Sequence, residues 1–74
     1  MYDISINLYR TFCVVAQSKN YVDASNKLNI STTAISKNIR QLESLVGTTL
    51  FYREKDGVTL TGAGQEFFKY AEQG

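Results

Sequence analysis

The sequence predicts a mainly α domain that carries one small β hairpin, and three features of the chain predict it. Proline is absent and the first glycine is Gly47, so nothing breaks a helix in the first two thirds. Up to Val46 the apolar residues recur at steps of three and four, the period of a helix with one buried side. After Gly47 the period changes to alternation around Asp56-Gly57, the pattern of two strands joined by a tight turn.

The first helix is expected from about Ile4 to Gln17. Ile4, Leu8, Phe12, Val15 and Ala16 form one stripe, which Tyr9 and Val14 widen. Ser18-Lys19-Asn20 then interrupts the pattern. Cys13 lies beside the stripe and reads as a small packing residue. A short second helix should run from Tyr21 to Leu28 with Tyr21, Ala24 and Leu28 on one face. Asn20 is placed to cap it, because its side-chain oxygen can accept a first-turn N–H. Asp23 suits the positive end of the helix dipole. Asn29 tolerates a left-handed backbone and can end the helix, which leaves Asn29-Ile30-Ser31 as the turn with Ile30 tucked inward.

The third helix gives the strongest amphipathic signal. It should span Thr32 to Val46, capped by Ser31 and stopped by Gly47, with Ile35, Ile39, Leu42 and Val46 inside and Leu45 joining them. Its other face carries Thr33, Ser36, Lys37, Arg40 and Ser44. That face is short-chained at its start and basic further along. Leu50-Phe51-Tyr52-Arg53 and Val58-Thr59-Leu60 read as strands around Lys55-Asp56-Gly57, with positive φ expected in the Asp-Gly turn. An isolated hairpin is marginal, so Leu50, Val58 or Leu60 must pack on the helices. Thr61 should cap a last helix from Gly62 to about Gln73, with Ala63, Phe67, Tyr70 and Ala71 as its stripe and Phe68 beside it. Three helices, a hairpin and another helix, with a short turn between the second and third, make a winged helix-turn-helix. Residues 1–60 are expected to form this unit and residues 61–74 the start of a further helix, the chain being a piece of a longer protein.

Composition narrows the function. The chain has 74 residues with 43% apolar and 20% charged, a globular balance too small for a deep substrate cleft. Histidine is absent and Cys13 is the one cysteine, so no metal site, cofactor or internal disulfide is expected, and a reducing, cytoplasmic setting is. Neither a membrane span nor a signal peptide is apparent. With no Gly-rich phosphate loop and no nucleophile–base pair, an enzyme is not expected. The net charge of +1 does not point to nucleic acid, but its distribution does: between Asp23 and Glu43 the charged residues are Lys27, Lys37 and Arg40, all basic.

Duplex recognition asks for a helix that buries one side and presents the other to a major groove about 12 Å wide. Small residues at the helix start let the backbone approach base edges, and Thr32, Thr33 and Ser36 meet that need. Their hydroxyls donate or accept, and threonine methyls can touch thymine methyls. Lys37 and Arg40 reach phosphates or guanine edges. Ser31 is first an N-cap and second a phosphate contact. Arg53 either contacts DNA or pairs with Glu54 or Asp56, and Lys55 at the hairpin tip faces the same alternatives. Glu43 reads as a structural partner for a backbone N–H or for Arg53.

These residues resemble a known family. Tyr21-Val22-Asp23-Ala24-Ser25, Leu28 and Ser31-Thr32-Thr33-Ala34-Ile35-Ser36 look like the helix-turn-helix of LysR-type regulators. Ile39, Leu42-Glu43, Gly47, Leu50-Phe51, Arg53 and Leu60-Thr61 with Gly64 look like the later pattern of that family, so the resemblance runs from about Leu8 to Gly64. It implies a transcription factor that binds promoter DNA as a dimer or tetramer. The helix at about 32–46 would lie in the major groove and the wing at about 50–60 on the adjacent backbone or minor groove. It implies base and phosphate contacts by Thr32, Thr33, Ser36 and Lys37, and a wing contact by Arg53. It implies a DNA-binding domain over residues 1–60 and, at 61–74, the start of a helix similar to the family's linker helix, which would pair two subunits through Phe67, Phe68 and Tyr70. A small-molecule effector would act through a further domain that this chain does not contain. The sequence departs from the family where Thr32-Thr33 replaces the usual Gln-Pro, where Ser25 replaces an alanine, and where Asp23 occupies a commonly basic or polar position near the DNA. The competing reading is a winged-helix protein-interaction module that never touches DNA, which would need large apolar residues on the outer face of the third helix.

Overall fold

The computed structural model describes residues 5–73 and shows four helices and a two-stranded sheet. In chain order these are α1 (Ile6–Ala16), α2 (Tyr21–Leu28), α3 (Thr32–Val46), β1 (Phe51–Glu54), β2 (Gly57–Leu60) and α4 (Gly62–Gln73). The architecture is a winged helix-turn-helix.

Local chemistry sets the helix limits. Ser5 Oγ accepts from Leu8 N, so α1 begins at Ile6; the expected residue Ile4 lies outside the described residues. Asn20 Oδ1 accepts from Asp23 N at 2.8 Å and starts α2. Asn29 ends it in the left-handed region at φ 57°. Ser31 Oγ accepts from Ala34 N at 3.0 Å, and Gly47 closes α3 at φ 80° with its N–H on the Glu43 carbonyl. Thr61 caps α4 by accepting from Gly64 N at 2.9 Å while donating its hydroxyl to the Thr49 carbonyl.

The inner stripes meet in one core. Phe12 and Val15 of α1, Ala24 of α2, Ile35 and Leu42 of α3, and Leu50 are sealed from solvent. Phe12 is the hub, with Phe51 tilted against it at 5.3 Å and Phe67 edge-on at 4.9 Å. Phe68 reaches the same ring at 6.2 Å, and Tyr9 stacks flat on Phe67 at 5.6 Å. Phe67 and Phe68 are therefore half-buried partners of α1.

Three apolar residues expected inside are exposed. Ile30 is 38% exposed, at a groove it shares with Leu28, Ala34, Thr11 and Asn38, where Asn38 Nδ2 donates to Thr11 Oγ1. Leu45, 37% exposed, lies about a quarter turn around α3 from the centre of its buried stripe. Tyr70 is 72% exposed; it lies beyond the Tyr9–Phe67 stack and shares a shallow groove with Ile6, itself exposed.

The hairpin also differs from its expected form. β1 begins at Phe51, not Leu50; Leu50 gives its N–H to Glu43 Oε2 at 2.7 Å and accepts from Thr61 N at 3.0 Å. Glu54 pairs with Gly57, so the loop is Lys55-Asp56 and Gly57 belongs to β2. Among the described residues positive φ occurs at Asn29 and Gly47, not in the hairpin turn. Gly57 meets a different demand: a Cβ there would lie 2.6 Å from the Lys19 carbonyl oxygen. That oxygen accepts from Val58 N at 3.2 Å, which latches the wing to the α1–α2 loop. Gly64 is required in the same way, since a Cβ on it would collide with the Leu50 carbonyl.

Candidate nucleic-acid interface

α3 buries its inner stripe, which leaves Thr33, Lys37, Arg40 and Ser44 exposed and Ser36 half-buried. β1 alternates, so Phe51 goes to the core, Tyr52 outward and Arg53 back toward the helices. Between α3 and the base of the wing is an open concavity of about 790 Å³. Thr32, Thr33, Ser36, Lys37, Arg40 and Arg53 all line it, so the structure brings together six of the eight expected contact residues. Its cations are Lys37, Arg40 and Arg53, and neither an acid nor a large aliphatic side chain lines it. A helix about 10–12 Å across with such a face has the width of a major groove.

The other two expected contacts sit apart. Ser31 is engaged as the α3 cap. Lys55 lines an adjoining concavity of about 510 Å³ between the start of α2 and the hairpin, where Glu54 and Asp56 also stand. Tyr21, Thr32 and Arg53 border both concavities. Sequence reasoning missed Tyr21 and Gln41. Gln41 was legible, four residues on from Lys37 along the same face. The periodicity places Tyr21 in the core, and it is buried there, yet it also lines the site.

Arg53 makes neither ion pair considered for it. Its guanidinium carbon lies 4.3 Å from the centroid of the Tyr21 ring, and the one ion pair among the described residues is Lys27–Asp23. Burial pushes the Tyr21 hydroxyl above its ordinary pKa against the opposing pull of Arg53, so the ring is neutral. Arg40 Nη2 donates to Ser36 Oγ at 3.3 Å, bracing both side chains along α3. Glu43 takes the backbone role: its Oε2 accepts from Leu50 N at 2.7 Å and from Phe51 N at 3.3 Å, fixing the entry to the wing.

The basic run read in the sequence splits in space. Lys27 turns to the α1–α2 loop, donating to the Gln17 carbonyl and to Ser18 Oγ, and lies 3.4 Å from Asp23. Asp23 accepts from Lys19 N at 3.1 Å. That backbone hydrogen bond, with Lys27 beside it, holds the carboxyl below the usual carboxylate range. Asp23 is thereby occupied in tying the loop beneath the wing.

Residues 6–65 match the profile of the bacterial regulatory helix-turn-helix proteins of the lysR family. The chain belongs to the LysR family. Among its relatives is the RuBisCO operon transcriptional regulator of Allochromatium vinosum, 40% identical over 68 residues. The alignment takes in 92% of this chain and 22% of the relative. The HTH-type transcriptional regulator HdfR of Escherichia coli is 37% identical over 65 residues, 88% of this chain and 23% of that protein. This LysR-family chain thus spans less than a quarter of the length of those relatives. Among solved structures, the DNA complex of the CbnR DNA-binding domain superposes with a TM-score of 0.90 at 29% identity, over 93% of this chain and 79% of that one. The complex of the BenM DNA-binding domain with benA site 1 DNA gives 0.87 at 29% identity, over 93% and 80%.

Proposed function

We propose that this LysR-family domain binds double-stranded promoter DNA in a sequence-specific manner, as the DNA-reading part of a bacterial transcriptional regulator acting in the cytoplasm. The observation that carries the reading is the concavity of α3 and the wing, with three cations, the hydroxyls of Thr32, Thr33 and Ser36, and no acid. α3 enters the major groove with Thr32, Thr33 and Ser36 toward base edges. Lys37 and Arg40 take phosphates or guanine edges. The wing, through Arg53 and Lys55, lies on the adjacent backbone or minor groove, and Ser31 adds a phosphate contact at the start of α3. Two relatives of this fold have been solved bound to DNA, which supports the same use here. The concavity offers no large aliphatic anchor for a protein partner, and the exposed Leu45 of α3 does not line it.

Residues 1–60 form the reading head in this proposal, and residues 61–74 begin a linker helix through which two copies pair. Tyr70 is its most exposed apolar residue, and the half-buried Phe67 and Phe68 would contribute what their packing on α1 leaves open. A small-molecule effector would act through a domain beyond this chain.

Selection of bound duplexes from a random pool tests binding and returns the operator together. On the selected duplex, Lys37→Ala weakens binding and lowers the slope of log affinity against log salt by about 1, as loss of one phosphate contact does. A pool that enriches no sequence, or an unchanged slope and affinity for Lys37→Ala, refutes respectively the recognition or the place of Lys37 in it.

A further inference from the structure

Arg53 is the one cation of the concavity that the wing contributes, and its neighbourhood is unusual. Two acids follow it closely, Glu54 and Asp56, yet its guanidinium rests on a ring. The difference matters for a phosphate contact. A carboxylate partner would hold the side chain but cancel its charge and occupy its N–H donors. A ring face holds the guanidinium by its plane and leaves the edge donors pointing outward. The holder is also rigid: Tyr21 is buried, at the first position of α2, one residue after the Asn20 cap. Tyr21, Arg40 and Arg53 all border the same concavity, and both arginines lie near enough to Tyr21 to act on its hydroxyl.

We propose that Tyr21 is a positioning residue for DNA contact: its ring holds the Arg53 guanidinium over the α3 concavity, so that Arg53 and Arg40 close on the same run of phosphates. The inference rests on the DNA-binding reading above and deepens it. It makes the start of α2, the base of the wing and the middle of α3 one phosphate-gripping unit. It assigns the work to the ring face of Tyr21, not to its hydroxyl.

The test is a double-mutant cycle on the 74-residue chain with the selected duplex, alongside a measurement without DNA. Tyr21→Leu weakens binding about five- to tenfold, in line with loss of a cation–π contact. Tyr21→Phe stays within about twofold of the parent, because the ring remains. Arg53→Ala lowers the salt slope by about 1. In the Arg53→Ala background, Tyr21→Leu changes affinity by less than about twofold, the non-additivity of two groups acting as one. A merely structural tyrosine would weaken binding equally in both backgrounds, and that result overturns the proposal. So does Tyr21→Phe falling as far as Tyr21→Leu, which would hand the role to the hydroxyl.

The free protein supplies the independent reading. The δ-methylene protons of Arg53 are shifted upfield by the Tyr21 ring in the parent and in Tyr21→Phe. Unshifted protons in the parent overturn the platform even if Tyr21→Leu does not fold. If the random pool yields no duplex, the DNA-binding reading fails while the ring-current measurement still decides whether the platform exists.

Discussion

The three-helix core and the wing are held by different physics. The core closes by area: Phe12, Ile35 and Leu42 are each sealed by side chains from several elements, and burial of one such residue contributes about 1.5–3 kcal/mol. The wing closes by points. Glu43 grips two backbone N–H groups at its entry, the Lys19 carbonyl latches Val58, and Arg53 rests on Tyr21. A contact made by area degrades gradually, whereas one made by points is lost whole. The aim of the wing can therefore be changed by single substitutions that leave the helices folded.

The sharpest break of the core is Ile39→Asp. Ile39 is buried in the middle of the α3 stripe, and an unpaired carboxylate there has nothing to compensate its desolvation. The variant is expected to lose cooperative folding, read as collapse of the helical circular-dichroism signal. A folded Ile39→Asp would mean that α3 is seated on another face.

The wing entry should show a smaller, graded effect. Glu43→Ala removes the acceptor for Leu50 N and Phe51 N, and hydrogen bonds to a charged group are worth about 1.5–3 kcal/mol. A loss of about 2–3 kcal/mol is expected by denaturant titration. Glu43→Gln keeps an acceptor oxygen and should recover about half. Equal losses for the two variants would show that the acceptor role is not what Glu43 supplies.

The two regions also differ in how legible they are before folding. The limits of α2 and α3 were readable to the residue because caps are local chemistry: Asn20, Asn29, Ser31 and Gly47 each act within a few positions of themselves. Five of the expected contact residues that line the concavity are legible because α3 presents one face and the period names it; the sixth, Arg53, stands on β1 and is legible only through the family resemblance. The outward turn of Ile30, Leu45 and Tyr70 was not, since periodicity gives a direction and not what covers it. The wing was least legible. Its latch to Lys19 joins residues 39 positions apart, and the Arg53–Tyr21 contact joins residues 32 apart, with no local pattern to announce either. Asp56-Gly57 pointed to a turn of positive φ, while the demand on Gly57 came from a distant carbonyl.

That distinction has its own test. Gly57→Ala brings a Cβ to 2.6 Å from Lys19 O, so the wing tip must lift off the α1–α2 loop. Stability should fall by about 1–2 kcal/mol, in the range of mild overpacking, and the Val58 amide should exchange faster with solvent. Gly62→Ala is the control: a Cβ there meets open space, and the change should be neutral or slightly stabilising. Equal behaviour of the two would mean that the latch does not constrain the wing.

The smallest effect concerns the loop to which the wing is latched. Asp23 has its pKa lowered in the fold, first by the Lys19 backbone N–H and then by Lys27. A carboxylate depressed in this way contributes stability that is present above its unfolded value of about 3.9 and is lost as pH falls through the lower folded value. The Asp23 side chain is 37% exposed, so the contribution is modest and screened by salt. Asp23→Asn keeps an oxygen for Lys19 N but removes the charge. The parent should lose stability below about pH 4 more steeply than the variant, with the two profiles parallel above pH 6. Because Lys19 carries both the Asp23 contact and the Val58 latch, exchange at the Val58 amide should rise over the same acid range in the parent. If that amide is indifferent to acid while the stability profiles differ, Asp23 steadies α2 alone and the wing is held independently of it.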